Sequence, residues 1–343
     1  MVSTLSKLAT LASDDQFLPA GVDCGNGNLK LIVDHAEIRT PSYVLPIHRE
    51  TYDVPAPVDG GFVQYLEGTQ SDLIHQTWIT GKPAYTQDPL ACLRIVDDER
   101  GKIRYGLQML LGGLATLSHR PLWRLLVVAS IQDAKVFGTD LKQALSGTHT
   151  VKFNGKHHST VEIQVASVME EGTGAILSNR SQIDTEGQNI VIDFGSGTTI
   201  LSLFGAKGKL IDRRVHPAGV ERLIDAISSN EETRKRLAQA GDRAVIRTGI
   251  EEHSFVYGRI DWNFHKLYGD ELKPWVQSVL APALKIASPW MPTASTKLAI
   301  GGGSQLPGIA QLLVRQGFTI ASDGAWSNAR GLARIAQLRR VEG

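Results

Sequence analysis

The stretch GVDCGNGNLKLIV, Gly21 to Val33, decides the fold because it admits two readings. Asn26-Gly27 between apolar runs predicts an ordinary β-hairpin, since both residues tolerate positive φ. A second stretch, VIDFGSGTTILSL from Val191 to Leu203, repeats the same order. Each has two residues of strand character, an aspartate, one further residue, Gly-x-Gly and then an extended run. A carboxylate at the end of a buried strand is costly without a partner. For Asp23 and Asp193 that partner is either a metal cation or the turn each aspartate would cap.

A turn between two strands can also serve as a phosphate site. Successive backbone N–H groups point into one concavity and bind an anion, provided that no Cβ blocks the approach. Gly25 and Gly27 around Asn26, and Gly195 and Gly197 around Ser196, meet that requirement. Asn28, Ser196, Thr198 and Thr199 add side-chain donors. Lys30 either adds positive charge to the loop or is turned to solvent by strand alternation.

Other glycine-loop chemistries do not fit. A Rossmann fingerprint needs a third glycine opening a helix, and Lys30 and Ile200 stand in those places, followed by β-favouring residues. No Gly-x-x-x-x-Gly-Lys-Ser/Thr run occurs, and the later motifs of a protein kinase are absent.

The chain's 343 residues exceed the usual size of one core and predict two domains. Its composition, 42% hydrophobic and 21% charged, is that of a globular protein. The 36 Lys and Arg nearly cancel 35 Asp and Glu, so strong direct binding to nucleic acid or to an acidic membrane surface is not expected. Two cysteines, Cys24 and Cys92, exclude a disulfide scaffold and a four-cysteine zinc site, and predict reduced thiols in a cytoplasmic protein. Nowhere do about 18 uninterrupted apolar residues occur, so no membrane span is expected. Residues 1–16 read as a short extension or a frayed amphipathic helix.

Periodicity fills in the remainder. A third strand is expected over 37–43, then a loop-rich rim. Leu107, Leu110, Leu111, Leu114 and Leu117 mark a helix despite Gly112 and Gly113, and LWRLLVVAS marks a buried strand. In the second half, Val220, Leu223, Ile224 and Ile227 share one helical face. KRLAQAG predicts a helix ending at Gly241, and Pro282 predicts a kink in PWVQSVLAPALKIA. The last helix should bury Leu332, Ile335 and Leu338. Gly301 to Gly303, between KLAI and a helix near Pro307, reads as a crowded turn or as backbone open to a flat ligand. The six tryptophans have no regular spacing and read as core or interface residues.

Taken in order, VDCGNGNLKL, VMEEGTGA, VIDFGSGTT and AIGGGSQLPG resemble the phosphate-one, connect-one, phosphate-two and adenosine motifs of the actin-like ATPase superfamily. HPAGVERLIDAI and NARGLARIA are similar to the plasmid-partition actins of the ParM/StbA type. The resemblance spans roughly residues 20–337 and is poorest over 37–101. It implies an α/β, two-lobed actin-like fold, duplicated ribonuclease-H-like domains around a nucleotide cleft. The corresponding divisions are 17–187 for the first domain, with a rim insertion at about 37–101, 188–320 for the second, and a C-terminal helix over 321–343 returning to the first.

The resemblance also implies the site. Glu171 takes the connect-one position that orients or deprotonates the attacking water, with Glu170 where a proline is common. Asp23 and Asp193 would hold hydrated Mg²⁺, the two glycine turns with Lys30 would hold the phosphates of ATP or, alternatively, GTP, and Gly301, Gly302 and Gly303 would back the adenosine. Its partners would be further copies in a head-to-tail filament and a DNA-binding adaptor. ASIQ, Ala129 to Gln132, departs from the Gly-Leu-Pro that relatives carry there. The rival readings are a non-polymerising phosphotransferase or phosphatase of the superfamily, such as a sugar kinase or an exopolyphosphatase, and a chaperone-type switch.

Overall fold

The computed structural model describes residues 16–48 and 53–342, so the extension expected at the N-terminus lies outside the described residues except for its last position. Two compact units are present. The first comprises residues up to Cys24, Asn28–Met169 and the chain from Leu332; the second comprises Gly25–Gly27 and Glu170–Gly331.

In the first unit the strands are β1 (Leu18–Cys24), β2 (Asn28–Val33), β3 (Ala36–Pro41), β4 (Tyr43–Pro46), β5 (Phe62–Gly68), β6 (Thr77–Thr80), β7 (Leu93–Arg94), β8 (Leu122–Ile131), β9 (Gly147–Phe153) and β10 (His157–Glu170), whose last residue begins the second unit. They form one sheet in the order β3-β2-β1-β8-β10-β9-β5-β6-β4-β7. The helices are α1 (Gly81–Gln87), α2 (Gly101–Leu114) and α3 (Ala134–Leu145). The region expected as a rim insertion continues this sheet through the antiparallel pairing of β5 with β9. Strand alternation explains how. Val44, Val63 and Trp78 enter the main core, while their neighbours Leu45, Phe62 and Ile79 form a separate cluster.

Helix α2 buries Leu107, Leu110, Leu111 and Leu114 of the expected stripe, whereas Leu117 lies past its end and is only partly buried. The two glycines of the helix have a packing reason. A Cβ on Gly112 would lie 2.1 Å from Thr80 Oγ1, and one on Gly113 would lie 3.2 Å from Leu29 and Leu31. The helix-propensity cost of about 1 kcal/mol per glycine is offset by the close approach of α2 to the sheet.

In the second unit, α4 (Thr173–Ser178) precedes β11 (Asn189–Phe194), β12 (Thr199–Phe204) and β13 (Leu210–His216). Then come α5 (Glu221–Ser229), α6 (Glu231–Leu237), α7 (Arg243–Glu251), α8 (His265–Trp275), α9 (Ala281–Ala287), β14 (Thr296–Ile300), α10 (Ile309–Arg315), β15 (Thr319–Ile320) and α11 (Ser327–Glu342). The sheet order is β13-β12-β11-β14-β15. Ile190, Ile192 and Phe194 pack with Leu223, Leu280 and Ile309 from α5, the turn before α9, and α10; Val191 points the other way, towards Ala175 and Ile176 of α4. That second packing moves the division between units from the expected 187 to Glu170, because α4 belongs to the second sheet.

Three local expectations are corrected. The KRLAQAG helix stops at Leu237, where Ala238 turns left-handed with φ 57, and Asp242 caps a new helix, α7, by accepting from the amides of Ala244 and Val245. The kink assigned to Pro282 is a π-helical turn, Val276–Leu280, which leaves the proline in the first turn of α9 where no N–H is needed. Leu338 is 54% exposed, whereas Leu332 and Ala336 pack against Val128. Leu338 lies six residues past Leu332, about 240° round the helix, while Ala336 at i+4 returns to the same face. Of the tryptophans, Trp78, Trp123, Trp262, Trp275 and Trp290 are buried. Among the described residues no helix is long and apolar enough to cross a membrane.

Candidate functional site

Each Asp-x-Gly-x-Gly segment is a hairpin in the same sheet context. β1 pairs antiparallel with β2 and parallel with β8; β11 pairs antiparallel with β12 and parallel with β14. The orders β3-β2-β1-β8 and β13-β12-β11-β14 are therefore one design used twice. Each aspartate also falls at the same place, as the last residue in parallel register: Asp23 beside Ser130 and Asp193 beside Ile300.

At the first turn Asp23 is only 8% exposed. Lys30 stands opposite it across the hairpin, with Nζ 3.6 Å from Oδ2, and the Ser130 hydroxyl donates to Oδ1 at 3.4 Å. Lys30 thus shares the face of Asp23 rather than turning to open solvent. Ser130 belongs to the ASIQ segment that departs from the expected Gly-Leu-Pro. There β8 runs on to Ile131 and Asp133 makes the turn with φ 52. Gly25, Asn26, Gly27 and Asn28 are all partly exposed at the tip. Cys24 is buried at the end of β1 and is a packed core residue.

The second turn is buttressed from below. The Gly195 amide donates to the Thr198 carbonyl at 3.0 Å, and the Val220 and Glu221 amides donate to the carbonyls of Gly195 and Ser196. Gly219 permits this: a Cβ there would stand 2.4 Å from the Ser196 oxygen and 2.5 Å from that of Gly195. The Trp275 indole holds the Gly219 carbonyl at 2.9 Å. With these carbonyls engaged behind the turn, Ser196, Gly197 and Thr198 remain partly exposed. Thr199 does not join them. Its side chain is fully buried and its hydroxyl donates to the Ala218 carbonyl at 2.8 Å, so it ties the hairpin to the segment before α5 and has no donor left for a phosphate.

The three glycines after β14 divide into two kinds. A Cβ on Gly301, where φ is +80, would meet Asp193 Oδ1 at 2.2 Å, and one on Gly303 would meet Phe194 Cβ at 2.6 Å. Gly302 has open space where a Cβ would go. Gly301 and Gly303 are buried and are glycine for packing, whereas Gly302 is exposed.

Glu171 lies between the end of β10 and α4, partly exposed, and is followed by Gly172 with φ +83. Its carbonyl accepts from Arg213 Nη2, and the Glu170 carboxylate pairs with Arg213 Nη1. Sequence reading missed Arg213, Gly219 and Ser130. Only Gly219, in the Ala-Gly step before α5, carried a local signal.

Among the described residues no three His, Cys, Asp or Glu side chains cluster as a metal cage. Each hairpin offers one strand-end carboxylate, the kind of oxygen donor that Mg²⁺ takes while it retains several waters.

Residues 21–174 match the family model described as actin-like proteins, N-terminal domain. No curated protein sequence matches the chain. Among solved structures, an archaeal actin homologue in complex with ADP is similar at a TM-score of 0.71 and 18% identity, covering 94% of this chain and 100% of the other. A ParM filament from Clostridium botulinum, 15-stranded, is similar at 0.70 and 15%, covering 94% and 99%. ParM of Bacillus thuringiensis with ATP is similar at 0.65 and 16%, covering 95% and 100%. At these identities the likeness establishes the fold, which is the actin-like one.

Proposed function

From a chain with the actin-like fold and an actin-like N-terminal domain, we propose a nucleotide-dependent ATPase that assembles into filaments. The observation that carries this reading is the repeated hairpin, a strand-end aspartate followed by a partly exposed glycine turn, in the same strand order in both sheets. The Gly25–Gly27 and Ser196–Thr198 turns bind phosphate through backbone amides, and Gly302 lies against the base and ribose. Asp23 and Asp193 are the residues that would hold Mg²⁺. When bound, that ion neutralises charge on the phosphates. Glu171 accepts a proton from, or orients, the attacking water, and phosphoryl transfer to water depends chiefly on such placement.

Assembly is read from the likeness to a ParM filament, and a head-to-tail contact that does not close generates one. Segregation of DNA through an adaptor is the task that suits this likeness together with a net charge of only +1. The test is light scattering and sedimentation with Mg-ATP, Mg-GTP or no nucleotide, for the wild type and Glu171→Ala. Pelleting that requires nucleotide and lasts longer in the variant is expected. A chain that hydrolyses nucleotide yet stays monomeric at every concentration would refute assembly.

A further inference from the structure

We propose that Arg213 is a positioning residue for Glu171, fixing the Glu170–Glu171 segment to the strands that carry the second glycine turn. The inference rests on the reading of Glu171 given above. Arg213 sits on β13, the outer strand of its sheet, opposite Ser202 of β12. β12 begins at Thr199, immediately after the turn, so Arg213 is built on the antiparallel ladder that starts where Ser196 to Thr198 end.

From there its guanidinium reaches a segment 42 residues earlier in the chain and uses both terminal nitrogens, one on the Glu170 carboxylate and one on the Glu171 carbonyl. The pair is well shielded, with side-chain exposures of 13% for Arg213 and 19% for Glu170. A planar fork on two acceptors fixes direction as well as distance, which a lysine ammonium on a flexible stem cannot do. Immediately beyond the anchored carbonyl, Gly172 takes φ +83 with nothing within 4 Å of where a Cβ would stand, so its left-handed backbone rather than a close contact calls for glycine at the exit of the chain. Glu171 is held between a pinned carbonyl and a left-handed turn.

The neighbouring arginine provides the contrast. Arg214 points to the other side of β13, pairs with Asp212 and is 62% exposed. Two adjacent arginines on one strand therefore have different tasks, as alternation requires.

The experiment is steady-state hydrolysis of Mg-ATP by the full chain, with ADP binding by calorimetry and amide hydrogen exchange over residues 171–174. In Arg213→Lys we expect kcat to fall by about tenfold or more while KM and the ADP dissociation constant change by less than about twofold, the signature of misplacement rather than lost binding. Glu170→Gln should give a smaller loss of the same kind, and the double variant should be no worse than Arg213→Lys. Exchange over 171–174 should quicken in Arg213→Lys, and Arg214→Lys should match the wild type throughout. Unchanged kcat in Arg213→Lys with an active wild type would overturn the positioning role, as would parallel losses of kcat and ADP affinity. A wild type that hydrolyses neither ATP nor GTP would overturn the reading of Glu171 and this role with it.

Discussion

Asp23 and Lys30 face each other across the first hairpin, with Nζ 3.6 Å from Oδ2 and side-chain exposures of 12% and 18%. The carboxylate at the end of β1 therefore has a fixed cation beside it before any ligand arrives. Were Asp23 to hold a divalent ion, as proposed, its carboxylate would be shared with the ammonium and the two cations would compete electrostatically.

This competition makes a prediction for magnesium. Asp23→Asn should raise the Mg²⁺ concentration for half-maximal hydrolysis by about tenfold, in the range found when groups around a metal are altered. Lys30→Met should lower it. A Mg²⁺ titration of activity checks both, and an unshifted titration in Asp23→Asn would remove Asp23 from the metal site.

The glycines after β14 should separate ligand contact from packing. In Gly303→Ala the new methyl group would stand 2.6 Å from Phe194 Cβ and 2.9 Å from Val220 Cγ2, and overpacking of this kind costs about 1–3 kcal/mol of stability. Gly302→Ala has room and should stay within about 0.5 kcal/mol of the wild type. Its effect should fall on ADP affinity instead. Urea denaturation and calorimetry distinguish the two, and equal destabilisation of both variants would contradict the division.

A pH dependence follows from His149 in the first unit. Its ring is fully buried, its Nδ1 lies 2.8 Å from the Tyr65 hydroxyl, and burial lowers its pKa to about 4 from the usual 6.5. The Gln70 amide donates to the same Tyr65 oxygen, which leaves the phenolic hydrogen for a neutral imidazole. A folded-state pKa below the unfolded one means that the unfolded chain binds the extra proton. The stability His149 contributes is therefore complete above about pH 6.5 and declines as pH falls towards 4, by about 3 kcal/mol in all. Urea denaturation near pH 7 and about pH 4.5 should show this decline in the wild type, and a decline smaller by about that amount in His149→Gln. Equal declines would show that another group governs acid sensitivity.

The two hairpins, the leucine stripe of α2 and the alternation that builds both sheets were legible because they are local. A hairpin is announced by the residues of its own turn, and a buried face by a period of 2 or about 3.6. The paired Asp-x-Gly-x-Gly segments went further, since the repetition itself pointed to a duplicated architecture. Leu338 shows the limit of such a pattern: three-residue spacing through Ile335 predicts its burial, but repeated steps of three drift round the helix and carry it off the face of Leu332 and Ala336.

What the sequence determined by itself is the set of turns, strands and faces, together with the four motifs whose order resembles the actin-like proteins. The tertiary structure decided which members of those motifs are open to a ligand. It withdrew Thr199, whose hydroxyl is engaged by the Ala218 carbonyl, and separated Gly302 from its two packed neighbours. It also brought Arg213 to Glu170 and Glu171 across 42 residues of chain. The physical reason is range: a turn or an amphipathic face is encoded within one turn or two of backbone, whereas the partner of a side-chain hydroxyl or a guanidinium is set only when distant strands find their register.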